Sequence, residues 1–368
     1  MPGATTIAVG DPKAVKRWSA SLFVESSKKS YWDRKFVGES DNHCIQRLTE
    51  LENEAGDTIS FDLALLLTGE PVYGDARAEG KERNLKFATD TISIDQMFYP
   101  VNAGGVMTRK RTVHKLRPIA RNRMSDYWAR FVDEMYFIYL SGSRGINEGF
   151  NTPVTWAGIA GNPITAPDDG HLMFAGTAAS KAAITANDTM SRNLIERAKT
   201  KAEMMREVNP TVSEIVPLEI NGEAHYVCLM NPFQEHDLRT DTGSGGWLDI
   251  QKAAAASEGR NNPIFKGSLG MINNVVLHSH KSAIRFGDYG ASSNLPAGRA
   301  LFLGRQAGVV AYGSTSGMRF DWKEQLTDYK RILSIGSGTI CGVKKTRFQG
   351  QDFGLFSIDT YCKDPNAA

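Results

Sequence analysis

Pro118-Ile-Ala-Arg-Asn-Arg-Met-Ser-Asp-Tyr-Trp-Ala-Arg-Phe-Val-Asp-Glu-Met-Tyr-Phe-Ile-Tyr-Leu140 reads as one long helix. Pro118 suits a first-turn position, where its missing N–H is not needed. Ala120, Met124, Tyr127, Trp128, Phe131, Met135, Ile138 and Tyr139 recur at three- and four-residue steps along one face. Arg123, Asp126, Arg130, Asp133 and Glu134 fall on the other side, and Gly142 supplies a stop. Such a helix is roughly 35 Å long, enough to cross a small domain. Its many aromatic side chains predict neighbours on more than one side.

Upstream, the pattern changes from helical to alternating. Ile59, Phe61, Leu63, Leu65 and Leu67 alternate with Thr58, Ser60, Asp62 and Ala64, which predicts a strand with one buried face. Residues 68–84 form a Gly-, Pro- and charge-rich excursion, and a return strand carries Leu85, Phe87, Ile92 and Ile94. The odd-to-even shift between Phe87 and Ile92 predicts a bulge. The result is a long β-hairpin with a polar tip, which needs a partner to lie on. Residues 1 to about 30 read as an arm with no core of its own, Trp18, Leu22, Phe23 and Val24 being too few. A helix is expected near Cys44–Leu51, after Glu39-Ser40-Asp41-Asn42.

Downstream, a helix is predicted over Asp188–Glu207 with the stripe Leu194, Ile195, Ala198, Ala202 and Met205. Strands at Ile215–Ile220 and Tyr226–Met230 are joined by Asn221-Gly222, a two-residue hairpin signal. A short helix follows near Glu235–Leu238 and a strand at Met271–Leu277. Strand-bearing segments at Arg299–Val310, Arg331–Val343 and Phe353–Tyr361 close the chain and are expected to return to the long helix. The fold class is α+β.

At 368 residues and 41% hydrophobic, the sequence can bury a sizeable core. The four cysteines form no CxxC pair, which predicts reduced structural thiols and a cytoplasmic origin. Signal-peptide and membrane-spanning patterns are not apparent. A net charge of +2 argues neither for nor against a nucleic-acid partner. Locally, Arg109, Lys110, Arg111, Lys115, Arg117, Arg121 and Arg123 make a basic run over 109–123 without an acid. It is a solvated face, an ion-pairing surface against another subunit, or a surface towards packaged nucleic acid. Aromatic residues are not interleaved with it, which disfavours a single-strand groove.

Catalytic motifs do not survive inspection. Gly336-Ser337-Gly338 with Gly342 has the wrong spacing for a dinucleotide loop, and Gly313-Ser314-Thr315-Ser316-Gly317 lacks the central serine of a nucleophile elbow. Gly259 to Lys266 has Phe265 where a phosphate loop needs glycine. His278 and His280 share one strand face, as two metal ligands would, with Asp288 the available third; plain polar surface is the favoured reading. Glu235-His236-Asp237 could host acid/base work, but capping and ion pairing explain it as well. No catalytic, cofactor or metal residue is assigned, and an enzyme is not expected.

An ordered series of short matches carries a resemblance over about Trp18 to Tyr361. It comprises Gly56-Asp57-Thr58-Ile59-Ser60-Phe61, Leu67-Thr68-Gly69, Gly74-Asp75, Glu79-Gly80 and Asp95-Gln96. Trp128 with Asp133, Asn231-Pro232, Asp237-Leu238, and Asn262-Pro263-Ile264-Phe265-Lys266-Gly267 continue it. Ala300-Leu301-Phe302-Leu303-Gly304, Gln306-Ala307 and Gly342-Val343-Lys344-Lys345 complete it. The series resembles the major capsid proteins of Enquatrovirus-type podophages, from which it departs in a more basic 109–123 region.

The resemblance implies a Hong Kong 97-type coat fold. Residues 1–52 would be the N-terminal arm, 53–112 the extended hairpin loop, and 113–184 the peripheral domain with spine helix 118–140. Residues 185–312 would be the axial domain and 313–368 the return to the peripheral domain. It further implies self-assembly into hexamers and pentamers of an icosahedral head shell, with no membrane involved. Portal, scaffolding and decoration proteins would be partners, with double-stranded DNA at the inner surface. Assembly would occur in the host cytoplasm and the product reside in the virion. In some relatives of this fold lysine and asparagine cross-link subunits, and Lys81 and Asn84 lie near the hairpin tip. A cellular nanocompartment (encapsulin-like) shell is the alternative, and an α+β enzyme the more distant one.

Overall fold

A computed structural model describes residues 29–52, 56–64, 70–75, 77, 79–111, 116–209, 212–241, 264, 268–314, 319–329 and 331–366, with the side chains of Thr108 and Arg109 excepted. The chain enters through a short helix α1 (Tyr31–Lys35) and the strands β1 (Val37–Gly38) and β2 (Ile45–Leu48). It rises into a hairpin of β3 (Thr58–Ala64) and β4 (Phe87–Ser93). Next, β5 (Asp95–Gly105) and α2 (Val106–Arg111) lead into the long helix α3 (Leu116–Ser141). A loop-rich stretch carries β6 (Leu172–Phe174), followed by α4 (Arg192–Val208), β7 (Leu218–Ile220), β8 (Glu223–Met230) and α5 (Pro232–Thr240). Strands β9 (Gly270–Ile272), β10 (Val275–Ser279), β11 (Arg285–Tyr289), β12 (Leu295–Leu303) and β13 (Gly308–Gly313) follow. The chain closes with β14 (Phe320–Thr327), β15 (Ile332–Lys345), β16 (Arg347–Phe348), β17 (Gln351–Asp352) and β18 (Leu355–Tyr361).

Two sheets share one core. Six strands run β1-β2-β13-β15-β14 with β5 on the other side of β15, and eight run β6-β18-β12-β8-β10-β9 with β7 and β11 added. Strand alternation assigns the layers. In the eight-stranded sheet, Val227, Leu229, Leu301 and Leu303 face α3, whereas Tyr226, Cys228, Ala300 and Phe302 face the apolar stripe of α4. In the six-stranded sheet, Val310 and Tyr312 face α3, whereas Val309 and Ala311 face the hairpin.

The spine helix matches the expected 118–140 with two residues added at its start and one at its end. Gly142 ends it as predicted, at φ 69°, its N–H donating to the Ile138 carbonyl at 2.9 Å. The first half is amphipathic, with Ala120, Met124 and Trp128 on the sheet; from Val132 to Ser141 every residue is buried. The expected polar placement of Asp133 and Glu134 is therefore corrected: both are inside. The closing strands do return to this helix. Trp128 Nε1 donates to Ser337 Oγ of β15 at 2.7 Å. Arg299 Nη1 donates to the Ser141 carbonyl at 2.7 Å, placing a cation at the helix C-terminus, and grips Asp359 of β18 with both remaining nitrogens at 2.7 and 2.6 Å.

Other expectations divide cleanly. All five stripe residues of α4 are buried, but the helix starts at a Ser191 cap instead of Asp188. Asn221 and Gly222 take the positive φ of a primed hairpin turn, and Asn231 with Gln234 forms a capping box for α5. The helix expected near Cys44–Leu51 is instead strand β2 and a 3-10 turn, because Ile45–Leu48 pairs in parallel with Gly308–Ala311. The single strand expected at Met271–Leu277 is two, separated by Asn273 and Asn274 at positive φ.

Removing Asp359 alone would leave the Arg299 guanidinium buried without its carboxylate. We predict that Asp359→Ala lowers the unfolding free energy of the unassembled chain by about 3–5 kcal/mol in urea titrations. The double variant Arg299→Met/Asp359→Leu is expected to cost less than that single change; a larger loss in the double would mean the pair is net stabilising.

Candidate assembly surfaces

The arm root is held by a carboxylate in the core. Asp133 of α3 accepts hydrogen bonds from Ser30 Oγ at 2.8 Å, Tyr31 N at 2.9 Å and Trp32 N at 3.2 Å, capping the first turn of α1 from across the fold. Ser30 caps the same helix locally by accepting from Asp33 N at 3.1 Å. Below it, Trp32 meets Phe137 edge-on at 5.2 Å between ring centroids, and Phe36 meets His278 at 5.3 Å. Trp32, Phe36, Val37, Cys44 and Ile45 thus enter the central core; residues 1–28, on which the expectation of an arm without a core of its own rests, lie outside the described residues. Glu134 secures the post-helix loop, accepting from Asn151 N at 2.8 Å and Nδ2 at 2.9 Å.

Burial pushes the Asp133 carboxyl up to about 7, against its hydrogen bonds from Tyr31, Ser30 and Trp32. Burial first, then nearby Lys35, takes His278 down to about 4; burial, Lys281 and Lys35 do the same to His280. His278 is fully buried, its Nε2–H donating to the Ile264 carbonyl at 2.7 Å, and His280 stacks on Phe137. The favoured surface reading of this pair is corrected: both rings pack against the arm. Asp288, the third ligand considered, pairs with Lys181 at 2.5 Å.

The hairpin has two different faces. Its register runs unbroken from Thr58↔Ser93 to Ala64↔Phe87, so the bulge expected between Phe87 and Ile92 is absent. Phe87 belongs to the outer face; Ala88 and Ile92 belong to the inner one. Ile59, Phe61, Leu63, Ala88 and Ile92 pack on Leu48, Leu51, Val309, Ala311, Phe348 and Phe353 of the body. Asp90 pairs with Lys344 and accepts from Arg347 N, while Asn162 brackets the Ser93 backbone with hydrogen bonds of 3.0 and 2.7 Å. A Cβ at Gly342 would lie 2.0 Å from the Ser93 carbonyl, so only glycine lets the hairpin root approach β15. The inner face needs no sister subunit. Towards the tip, Tyr73, Leu85 and Phe87 are 70%, 65% and 59% exposed. Lys81 and Asn84 are exposed beside them.

The remaining candidates are absorbed locally. Glu235 pairs with Arg239 one turn on in α5, and His236 lies 3.8 Å from Asp237. Gly336 and Gly338 sit under the Phe98 ring, and residues 315–318 and most of 259–266 are outside the described residues. Cys44, Cys228, Cys341 and Cys362 are free and buried, and burial pushes each thiol up to about 12. In the basic run, Lys110 and Arg111 are exposed, Arg117 pairs with Glu324 at 2.7 Å, and Arg123 lies 3.6 Å from Asp126. Asp90, Asp133, Glu134 and Asn162 are structural anchors that no local sequence motif marks. The signal for Asp133 and Glu134 is their setting, since two acids in an otherwise apolar helical run require buried donors.

A central helix between two sheets, with an anchored arm and a projecting hairpin, is the Hong Kong 97-type coat fold. The chain belongs to the phage capsid protein family, whose sequence model matches residues 6–364. It is similar to the major capsid protein of Pseudomonas phage KPP25, at 24% identity over 371 residues covering 93% of each chain. It is also similar to the capsid of Ralstonia phage GP4, at 56% identity and a TM-score of 0.87 over 100% of both chains. The Cyanophage Pam1 capsid, at 20% identity and a TM-score of 0.68 over 89% of this chain and 91% of that one, shares the fold. The protein is a major capsid protein of the virion shell. Nothing in these matches favours the nanocompartment or enzyme readings.

The Asp133 anchor gives a pH signature. A carboxyl held to about 7 when folded, against an ordinary 3.8, leaves the folded chain with the extra proton between those values. This group's contribution to folding is full below about pH 4 and lost as pH rises to about 7. Asp133→Asn should therefore gain stability relative to wild type as pH rises from about 4 to 7 in urea unfolding, the difference levelling off above that. Parallel stability curves would contradict the buried, protonated state.

Proposed function

We propose that copies of this chain close into an icosahedral head shell built of hexamers and pentamers around duplex DNA. Each subunit lays the exposed side of its hairpin on the next and passes its arm beneath another. In this reading residues 1–52 are the arm, 53–112 the extended loop, 113–184 and 313–368 the peripheral domain, and 185–312 the axial domain. Portal, scaffolding and decoration proteins meet the shell as it forms in the host cytoplasm, and the chain performs no catalysis.

The observation that carries this reading is the contrast between the hairpin's faces. Its root is satisfied by its own body, whereas Tyr73, Leu85 and Phe87 offer apolar area to water. Burying one such side chain gains about 1.5–3 kcal/mol, too little for a stable dimer. Repetition around a closed shell multiplies it through multivalency. Different local curvature at pentamers and hexamers is taken up at the hairpin base and at Gly104-Gly105, where Gly104 has φ 77°. A hairpin angle identical at every shell position would rule out that flexing.

Leu85→Ser/Phe87→Glu is expected to leave the unassembled chain folded, with its melting temperature changed by less than about 3 °C, since neither residue contributes to the core. Electron microscopy should then show loss of closed shells. Normal shells from this variant would remove the hairpin from the assembly contact.

A further inference from the structure

We infer that the exposed basic face on α2 and the first half of the spine helix is the surface that meets the sugar-phosphate backbone of the packaged duplex. This rests on the reading that the shell encloses DNA, and it answers what the 109–123 run does.

Charge is the first argument. Between Val106 and Arg130 the sequence holds eight Lys/Arg and one acid, Asp126, although the whole chain carries only +2. Asp126 cannot neutralise them, because it is shared between Lys29 at 2.8 Å and Arg123 at 3.6 Å. Arg123 keeps 81% of its side chain in solvent despite that contact. Lys110, Arg111 and Arg130 are exposed as well.

Placement is the second. The buried stripe Ala120, Met124 and Trp128 rests on Phe320, Trp322, Leu333 and Ile335, so the spine helix covers one face of the six-stranded sheet. Val309 and Ala311 put the hairpin root on the other face of that sheet. The basic face and the apolar hairpin face therefore lie on opposite sides of the subunit. A shell subunit has an inside and an outside, and a polyanion selects the cationic side.

Shape is the third. From Arg117 to Arg130 the helix rises about 20 Å, long enough to follow several phosphates spaced about 3.4 Å apart on one strand. Beside it lies a cleft of about 550 Å³ whose lining includes the cations Lys29, Arg123 and Arg130, the acids Asp126 and Asp133, and Tyr99 and Tyr127. Tyr99 and Tyr127 stack on each other at 3.9 Å, so they are not free to take unpaired bases. Cations on a solvent-facing helix surface bind backbone without reading sequence.

The test uses the full-length unassembled chain and a short random-sequence DNA duplex, with fluorescence anisotropy over a salt series. Wild type should bind with affinity falling steeply as salt rises. In Lys110→Gln/Arg111→Gln/Arg123→Gln the slope of log affinity against log salt should flatten by about 2–3, at about 0.9 per lost phosphate contact, equally for unrelated duplexes. Shells of this variant should still close under the electron microscope. An unchanged slope, or wild type without salt-dependent binding, overturns the assignment. Failure of shell closure with an unchanged slope overturns it too, and makes this face a contact with a sister subunit. If wild type itself forms no shells, the proposed function fails, whatever the slope.

Discussion

The second half of the spine helix has no side that meets water. From Val132 to Ser141 each side chain is buried, so the helix must be covered all round before it is stable. That one requirement draws on both large sheets and on the arm root. The eight-stranded sheet supplies Leu229 and Leu301, the six-stranded sheet supplies Val310 and Val343, and the arm root supplies Trp32 and Phe36. Two carboxylates inside this run then decide the details. Asp133 cannot be buried without donors, and the donors it finds are the first amides of α1. The same interaction that satisfies the helix fixes where the arm enters the body.

The subunit so formed divides its surfaces by purpose. Apolar positions that alternate inwards on β3 and β4 are used for folding, and the tip residues Tyr73, Leu85 and Phe87 are left over. A free subunit tolerates a few such residues, whereas a large exposed patch would drive disordered association. Assembly from weak repeated contacts suits a shell whose subunits must sort into correct positions before locking. The cations on the solvent side of the spine helix lie across the six-stranded sheet from the hairpin root.

Where local pattern and tertiary demand agree, the elements were legible from the sequence. The spine helix, the five-residue stripe of α4 and the Asn221-Gly222 turn each follow from a period or a turn chemistry written within a few residues. The failures share a different cause. Ile45 and Leu48 are three apart, a spacing that suits a helix face, yet their partners on β13 lie more than 250 residues away in the sequence and pull them into a strand. Asn273-Asn274 is a turn signal inside an apolar run, and Phe87 is an outward aromatic at a position where phenylalanine is more often buried. For His278 and His280 nothing local in the sequence reveals that α1 and Phe36 fold over them. The assembly surfaces were only half legible: the hairpin announced itself, but which of its faces is satisfied at home depends on Val309, Ala311 and Phe348, remote in sequence.

The account turns on a subunit that completes its own core and reserves the hairpin's outer face and tip for its neighbours. Hydrogen–deuterium exchange of the unassembled chain and of closed shells, compared segment by segment, addresses this directly. The account predicts slow exchange in both states for the amides of residues 132–141 and 33–36, with new protection on assembly appearing in the hairpin over residues 79–93. Rapid exchange of the spine helix in the unassembled chain, or a hairpin equally protected before and after assembly, would contradict it.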